Sequence, residues 1–265
     1  MSSSIKVALI GNPNVGKSVI FNNLTGSKQH TGNWPGKTVE KKEGFFDFEG
    51  YKFEVVDLPG VYSLSALSED ERVARQYLID HRPDVVVDIL NASQLERNLY
   101  LTLLLIELQV NLVIVLNMQD VVESKGDRID AEALARRLKT PLVTTTATKK
   151  EGMDDLKRAI LDAIPECRHD REHMPGDLNG GDDQHYHPRY HHHGEYERLR
   201  PATVRYSREI EVALGKIVRI ISKDRELSER YPPRWIALRI LENDPEILSL
   251  ITDEEMRFLV SEVRL

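Results

Sequence analysis

The sequence predicts an α/β fold, with a mainly parallel sheet and helices on both of its faces, followed by a small all-helical domain. The first observation is that short apolar runs alternate with amphipathic stretches over residues 1–165. Runs of this length suit strands that are buried on both faces, and their alternation with helices implies right-handed crossovers. The second observation is that residues 202–265 keep apolar positions at helical spacing.

The strands and helices of the first domain follow from these runs in chain order. Strands are predicted at residues 6–10, 51–57, 84–90, 112–117 and 141–145, and residues 44–49 are expected to pair with 51–57 in a hairpin around Gly50. Helices are predicted at residues 17–25, 68–81, 95–109, 130–138 and 152–164.

The composition changes after residue 165. Residues 166–201 are rich in glycine, aspartate and histidine and keep no apolar period, which indicates a flexible linker or an extended loop. Beyond it, helices are predicted at residues 204–222, 233–241, 244–250 and 253–263, with N-cap residues around Asp244 and Asp253. We therefore expect a domain at 1–165, a linker at 166–201 and a helical domain at 202–265.

Charge and cysteine content exclude some classes of protein. The net charge of -7 argues against a broad nucleic-acid surface, so we expect no nucleic-acid partner. The one cysteine, Cys167, cannot form an internal disulfide framework, which favours a reducing compartment. No stretch approaches the roughly 20 consecutive apolar residues of a membrane-spanning helix, so we expect the chain to be soluble.

Residues 11–18 read Gly-Asn-Pro-Asn-Val-Gly-Lys-Ser and match the phosphate-loop motif G-x-x-x-x-G-K-[ST]. The motif follows a predicted strand and opens a predicted helix, which argues against a chance glycine turn. Its backbone amides and the helix N-terminus would hold phosphate oxygens, Lys17 would reach the β- and γ-phosphates, and the Ser18 hydroxyl would bind Mg²⁺. Nucleotide contacts are expected from Asn12, Pro13, Asn14, Val15, Gly16, Lys17, Ser18 and Val19. The motif predicts a P-loop NTPase, and together with the segments described next it predicts one of the small-GTPase kind.

A second element, Asp57-Leu58-Pro59-Gly60, ends a predicted buried strand. A carboxylate there needs a partner, and the water shell of Mg²⁺ would supply one for Asp57. Gly60 would let a backbone N–H approach the γ-phosphate and respond to its loss. The alternative is a common turn, but the order and spacing relative to the phosphate loop favour the Mg²⁺ side of a nucleotide site.

The polar stretch 27–37 contains Gly32 and Gly36 and is predicted to be a mobile loop. Thr38, directly after it, is the candidate threonine that would bind Mg²⁺ and order this loop around the γ-phosphate. An ordinary surface loop is the alternative.

The purine is expected to be guanine. Asp120, in Asn117-Met118-Gln119-Asp120, can accept two hydrogen bonds from guanine that adenine cannot offer. Asn117 would tie this loop to the phosphate loop, and the Met118 side chain would pack on the base where GTPases usually have lysine. Thr146 and Ala147 lie where GTPases place a Ser/Thr-Ala pair against the guanine oxygen. The alternative for Asp120 is a helix N-cap.

The sequence segments that contain and surround these motifs resemble those of one protein family. They are Gly-Asn-Pro-Asn-Val-Gly-Lys-Ser, Thr31-Gly-Asn-Trp-Pro-Gly, Thr38-Val-Glu, Asp57-Leu-Pro-Gly-Val-Tyr-Ser-Leu, Leu95-Glu-Arg-Asn-Leu-Tyr-Leu-Thr-Leu and Asn117-Met. Over about residues 5–165 the chain resembles the FeoB family of prokaryotic ferrous iron transporters. The helical tail resembles that family's helical domain, thought to slow GDP release, by position and length only.

This resemblance implies a GTPase domain at the cytoplasmic face of the plasma membrane, in a longer protein whose C-terminal transmembrane iron-permeation region would be its partner. It also implies bound GTP or GDP with Mg²⁺, and it allows for a homo-oligomer. Asn14 matches the asparagine with which family members hold K⁺ beside the phosphates; its alternative role is to stabilise a turn. Val61 stands where Ras-like proteins have a water-orienting glutamine, so slow hydrolysis is expected. The candidate catalytic residues are thus Lys17, Asn14, Thr38 and Gly60.

Two other functions compete with this one. A free cytosolic GTPase of the ribosome-assembly type would usually carry a basic RNA-binding appendage, whereas the helical tail is mixed in charge. An ATP-using P-loop enzyme is disfavoured by Asp120. The histidines between 185 and 193 could bind a transition metal, but a solvated linker is the simpler interpretation.

Overall fold

The computed structural model describes residues 4–26, 28–164, 190–191 and 203–263. The strands are β1 (Ile5–Gly11), β2 (Gln29–Asn33), β3 (Glu40–Phe48), β4 (Tyr51–Asp57), β5 (Val85–Asn91), β6 (Leu112–Asn117), β7 (Leu142–Thr144) and β8 (Tyr190–His191). The helices are α1 (Lys17–Thr25), α2 (Glu69–His81), α3 (Leu95–Glu107), α4 (Gln119–Ser124), α5 (Ala131–Leu138), α6 (Met153–Asp162), α7 (Arg208–Ile221), α8 (Arg225–Arg230), α9 (Pro233–Leu241), α10 (Pro245–Leu250) and α11 (Glu254–Ser261).

All described strands join one sheet in the order β2-β3-β4-β1-β5-β6-β7-β8. The central strands β4, β1, β5, β6 and β7 are parallel. On one side β3 pairs antiparallel with both β4 and β2, and on the other side β8 pairs antiparallel with β7. The predicted mainly parallel sheet is therefore confirmed. Its register pairs Leu9 with Asp57 and Asn91 with Asn117, so the motif residues meet at the carboxyl edge of the sheet.

The two faces of the sheet carry separate apolar cores. Alternate residues of β1 show this division, since Ala8 and Ile10 pack on one face and Val7 and Leu9 on the other. The core that contains Ile10 also includes residues of α2 and α3 and continues into Trp235 of α9. The helical segment thus shares a hydrophobic core with the segment that carries the phosphate-loop motif.

Charged contacts reinforce this junction. Arg75 of α2 is buried, and its guanidinium donates to Asp244 at 2.5 Å and to Glu246, both at the start of α10. Asp244 also caps α10, as the sequence predicted, by accepting from the backbone N–H of Ile247 at 3.2 Å. The Asp253 cap of α11 is confirmed in the same way.

Some elements differ from the sequence prediction. The stretch 27–37 is not all loop, because residues 29–33 form β2 against β3, yet their side chains are mostly exposed and leave no apolar period to read. The short helices α4 and α8 were also not predicted, since each is a six-residue segment with one buried apolar residue.

Residues 190–191 form the edge strand β8, inside the segment predicted as a linker. The rest of that segment, with Cys167 and most of the histidine-rich stretch, lies outside the described residues. Over the described ranges of the chain, none of the helices has the length and apolar character that crossing a bilayer requires.

Candidate nucleotide site

The phosphate loop runs from the end of β1 to the start of α1. Gly16 has a positive φ of 87°, and a Cβ there would lie 2.4 Å from the Asn117 side-chain nitrogen, so only glycine fits. Asn14 also has a positive φ, of 66°. The side chains of Asn14, Ser18 and Val19 are exposed, whereas Val15 is buried, as the motif requires for a loop that faces a ligand on one side.

Lys17 forms an ion pair with Asp57 at the end of β4. Both side chains are largely buried, with 12% of Lys17 and 6% of Asp57 exposed. Burial raises the pKa of Asp57 above its ordinary value, and the Lys17 ammonium opposes this shift. The structure thus brings together the two charged groups that the sequence assigned to the triphosphate and to the Mg²⁺ water shell.

The segment after β4 rests directly on the phosphate loop. The Val61 N–H donates to the Gly11 carbonyl at 3.1 Å. A Cβ on Gly60 would lie 3.3 Å from Pro13 Cα, which is shorter than an ordinary van der Waals contact, so glycine permits this close approach. Val61 itself is buried, with 2% exposed. Gly60 and Val61 are therefore in direct contact with the backbone of the phosphate loop.

Asn117, at the end of β6, joins the two sides of the site. Its side-chain N–H donates to the Val15 carbonyl at 2.9 Å, while its side-chain oxygen accepts from the Thr145 hydroxyl and from the Ala147 N–H, each at 3.0 Å. The residue is 3% exposed. Its carboxamide therefore fixes the distance between the phosphate loop and the loop after β7.

Sequence reasoning missed two residues that support this bridge. Thr145 is 1% exposed and uses its hydroxyl on Asn117. Asn23 of α1 donates to the Ala147 carbonyl at 2.7 Å. Only their places, with Thr145 two residues before Ala147 and Asn23 near the end of α1, could have indicated them.

Asp120 lies in the first turn of α4 and is partly exposed. The N-cap of α4 is Met118, with a positive φ of 65° and no side-chain cap, so the alternative of an N-cap at Asp120 is wrong. One carboxylate oxygen of Asp120 accepts from the N–H of Val121 at 3.1 Å, and the other lies 4.0 Å from Lys149 Nζ. Thr146 and Ala147 are both buried.

Two predicted residues have surroundings that sequence alone did not reveal. Thr38 donates its hydroxyl to Glu69 at the start of α2, at 3.3 Å. Asn12 is 4% exposed, and neither heteroatom of its carboxamide has a hydrogen-bond partner among the described residues.

Family models match both parts of the chain. Residues 5–160 match the model described as Ferrous iron transport protein B, which covers more than half of the sequence. The chain belongs to the FeoB family. Residues 206–264 match the model of the FeoB cytosolic helical domain, so the resemblance of the tail, first seen by position and length, also holds in sequence.

Curated relatives of this FeoB chain include two of similar identity. The Fe(2+) transporter FeoB of Methanocaldococcus jannaschii is 42% identical over 96% of the chain and 33% of its own length. A Fe(2+) transport protein A/FeoB fusion protein of Porphyromonas gingivalis is 37% identical over 98% of the chain and 28% of its own length. The chain thus spans about a third of these relatives or less.

Solved structures of FeoB share the fold over nearly the whole chain. A mutant NFeoB of S. thermophilus bound to GDP has a TM-score of 0.80 and 32% identity, with 98% of this chain and 88% of that one covered. The cytosolic domain of T. maritima FeoB in its apo form has a TM-score of 0.77 and 32% identity, with 98% and 94% covered.

Proposed function

We propose that this chain binds GTP and hydrolyses it slowly, as the regulatory domain of a prokaryotic ferrous iron uptake transporter. The observation that carries the proposal is the Asn117 bridge between Val15 and Ala147. It holds the phosphate-loop amides and the base-reading Asp120 at a fixed spacing, which a nucleotide with both a phosphate chain and a purine needs. GDP in the S. thermophilus NFeoB structure supports a guanine nucleotide.

The phosphates would lie over the amides of the phosphate loop and the N-terminus of α1. Lys17 would exchange its ion pair with Asp57 for the β- and γ-phosphates, which keeps its charge compensated throughout. The proposed contacts come from Asn12, Pro13, Asn14, Val15, Gly16, Lys17, Ser18, Val19, Asp57, Gly60, Asn117, Met118, Asp120, Thr146 and Ala147.

Mg²⁺ fits the oxygen groups on the phosphate side of the site. The Ser18 hydroxyl is exposed at the start of α1, and the Asp57 carboxylate lies at the end of β4 in an ion pair with Lys17. Hydroxyl and carboxylate oxygens are the donors that Mg²⁺ prefers. Ser18 and Thr38 would bind the ion directly, and Asp57 through water.

Slow hydrolysis follows from Val61. Its buried isopropyl group cannot hydrogen-bond a water, so orientation of the attacking water is left to backbone groups near Gly60 or to another residue. Charge that develops on the phosphates then needs another source of stabilisation. A K⁺ ion held by Asn14, whose side chain is exposed in the phosphate loop, would supply it.

The cargo and the membrane partner are inferred from the relatives. They are Fe(2+) transporters, and the stretch matched here is 33% and 28% of their length. We infer that the nucleotide state acts through Thr38 and residues 57–60 on a C-terminal transmembrane region at the cytoplasmic face of the plasma membrane. The division into 1–165, 166–201 and 202–265 and a homo-oligomer belong to the same proposal. A free GTPase of the ribosome-assembly type is not favoured, because residues 206–264 match the FeoB helical domain.

Turnover of GTP in K⁺ and in Na⁺ tests the catalytic part. The parent is expected to hydrolyse GTP at least about ten-fold faster in K⁺, since a fixed charge at the phosphates is worth at least that much. Asn14→Ala is expected to remove the difference between the two ions. Asn22→Ala, at an exposed asparagine of α1, is the matched control and should keep it. Equal rates for the parent in both salts would remove K⁺ from the mechanism.

A further inference from the structure

Residues 34–39 form a closed turn that packs against α2. The Trp34 N–H donates to the Val39 carbonyl and the Lys37 N–H to the Trp34 carbonyl, each at 2.9 Å. Trp34 is 7% exposed, and its ring meets the edge of Tyr77 with centroids 5.3 Å apart. Tyr77 in turn stacks on His81 at 4.5 Å. The turn that carries the candidate Mg²⁺ threonine is therefore docked on a neighbouring helix by an aromatic contact.

A second, polar contact fixes the same turn at the start of α2. The Thr38 hydroxyl donates to Glu69 Oε2 at 3.3 Å, and Lys37 Nζ lies 3.8 Å from Glu69 Oε1. Glu69 and Tyr77 are about two helical turns apart and so lie on one face of α2. The turn thus contacts this face at two points, one polar and one aromatic.

The polar contact uses the group that Mg²⁺ would need. Glu69 is the first residue of α2, whose start is fixed by the Ser68 side chain accepting from the Glu71 N–H. The carboxylate of Glu69 is therefore attached to a capped helix start, whereas Thr38 lies in the turn that packs against it. Binding of the Thr38 hydroxyl to a Mg²⁺ ion beside Ser18 would therefore compete with its hydrogen bond to Glu69.

We propose that Glu69 is a positioning residue that holds Thr38 and Lys37 on α2 and thereby lowers the affinity of the site for Mg²⁺-GTP relative to GDP. The inference rests on the proposed function, namely on Thr38 as a ligand of Mg²⁺ in the triphosphate complex. The apparent affinity of a ligand falls by the fraction of protein in the competent conformation. GDP, which lacks the γ-phosphate that orders this turn, is not subject to the same reduction.

The contact is partly exposed, which sets the size of the effect. The side chains of Lys37 and Glu69 are 41% and 39% exposed, so the pair is screened by solvent. Removal of the Glu69 carboxylate is therefore expected to change the affinity ratio of GTP to GDP by roughly three-fold rather than by orders of magnitude.

Glu69→Ala tests the proposal, with Asp70→Ala as its matched control. Asp70 follows Glu69 in the first turn of α2 and is exposed, and it makes no hydrogen bond or ion pair with the turn among the described residues. Both changes remove one negative charge from the same helix start. Calorimetry in the presence of Mg²⁺ measures the affinity of each variant for a non-hydrolysable GTP analogue and for GDP. Glu69→Ala should strengthen binding of the analogue about three-fold and leave GDP unchanged, and Asp70→Ala should change neither.

A background that lacks the Thr38 hydroxyl separates this role from a structural one. In the Thr38→Ala background, Glu69→Ala should no longer alter the ratio of the affinities for the GTP analogue and GDP, because the hydroxyl that Glu69 holds is absent. GDP binding by every variant shows that it is folded. If Glu69→Ala does not fold, Glu69→Met replaces it, because methionine keeps the length of the side chain but has no oxygen to accept from Thr38.

Each outcome decides one of the two proposals. A parent that binds neither nucleotide overturns the proposed function and this inference together. A parent that binds GDP and the analogue, with Glu69→Ala and Asp70→Ala giving the same ratio, overturns the inference alone. A gain from Glu69→Ala that persists in Thr38→Ala also overturns it, since Glu69 would then act through some other group.

Discussion

Asn117→Ala offers a quantitative test of the bridge across the site. The substitution removes three hydrogen bonds, to the Val15 carbonyl, the Thr145 hydroxyl and the Ala147 N–H, at 2.9, 3.0 and 3.0 Å. Thr145 and Ala147 are 1% and 3% exposed, so at least these two groups lose their partner in a buried place. At about 1–1.5 kcal/mol for each orphaned group, the free energy of unfolding should fall by about 2–3 kcal/mol.

Urea unfolding and GDP calorimetry measure the two consequences separately. Asn91→Ala is the matched control. Asn91 pairs with Asn117 in the register of β5 and β6, but within the described ranges its side chain bonds only to the Ser93 N–H and hydroxyl. The control should lose about 1 kcal/mol and keep its affinity for GDP. An Asn117→Ala variant with the stability and GDP affinity of the parent would refute the reasoning.

Two further predictions concern buried charges away from the site. Burial raises the pKa of Asp88 to about 7, although the Thr102 hydroxyl, which donates to it at 2.6 Å, opposes this shift. The folded state therefore favours the protonated carboxyl, and it loses stability as the pH rises from about 4 through 7. Asp88→Asn should therefore raise the free energy of unfolding, measured with urea, by up to about 4 kcal/mol at pH 8 and by less at pH 5. Equal gains in this free energy at both pH values would contradict the prediction. Arg75→Met leaves the buried carboxylate of Asp244 without its ion-pair partner and should lower the free energy of unfolding by about 3–5 kcal/mol. The double variant Arg75→Met, Asp244→Asn should lose less, because no buried charge is left unpaired. A double variant that is no more stable than Arg75→Met would contradict the pairing.

Much of the site was readable from the sequence because its parts are local. The phosphate loop needs a glycine at position 16 for a positive φ and a close approach, and that need is visible as a motif. Asp57 and Asn117 follow apolar runs, and parallel strands bring their carboxyl ends to one edge. Order along the chain therefore sufficed to predict that these residues meet.

The parts that were missed depend on contacts between distant segments. β2 is held by backbone pairing with β3, and its exposed side chains carry no period that could reveal it. The partner of Thr38 is Glu69, 31 residues later, and no spacing rule connects a loop threonine to the first residue of a helix. The Arg75–Asp244 pair spans 169 residues and exists only because α2 and α10 pack together.

The central claim is that the phosphate loop and Asp120 together select a guanine nucleotide, and calorimetry with GDP and ADP tests it most directly. The parent is expected to bind GDP at least about 100-fold more tightly than ADP, because adenine leaves the Asp120 carboxylate without its two donors. Asp120→Asn should weaken GDP binding and admit xanthosine diphosphate. Equal affinities of the parent for GDP and ADP would contradict the account.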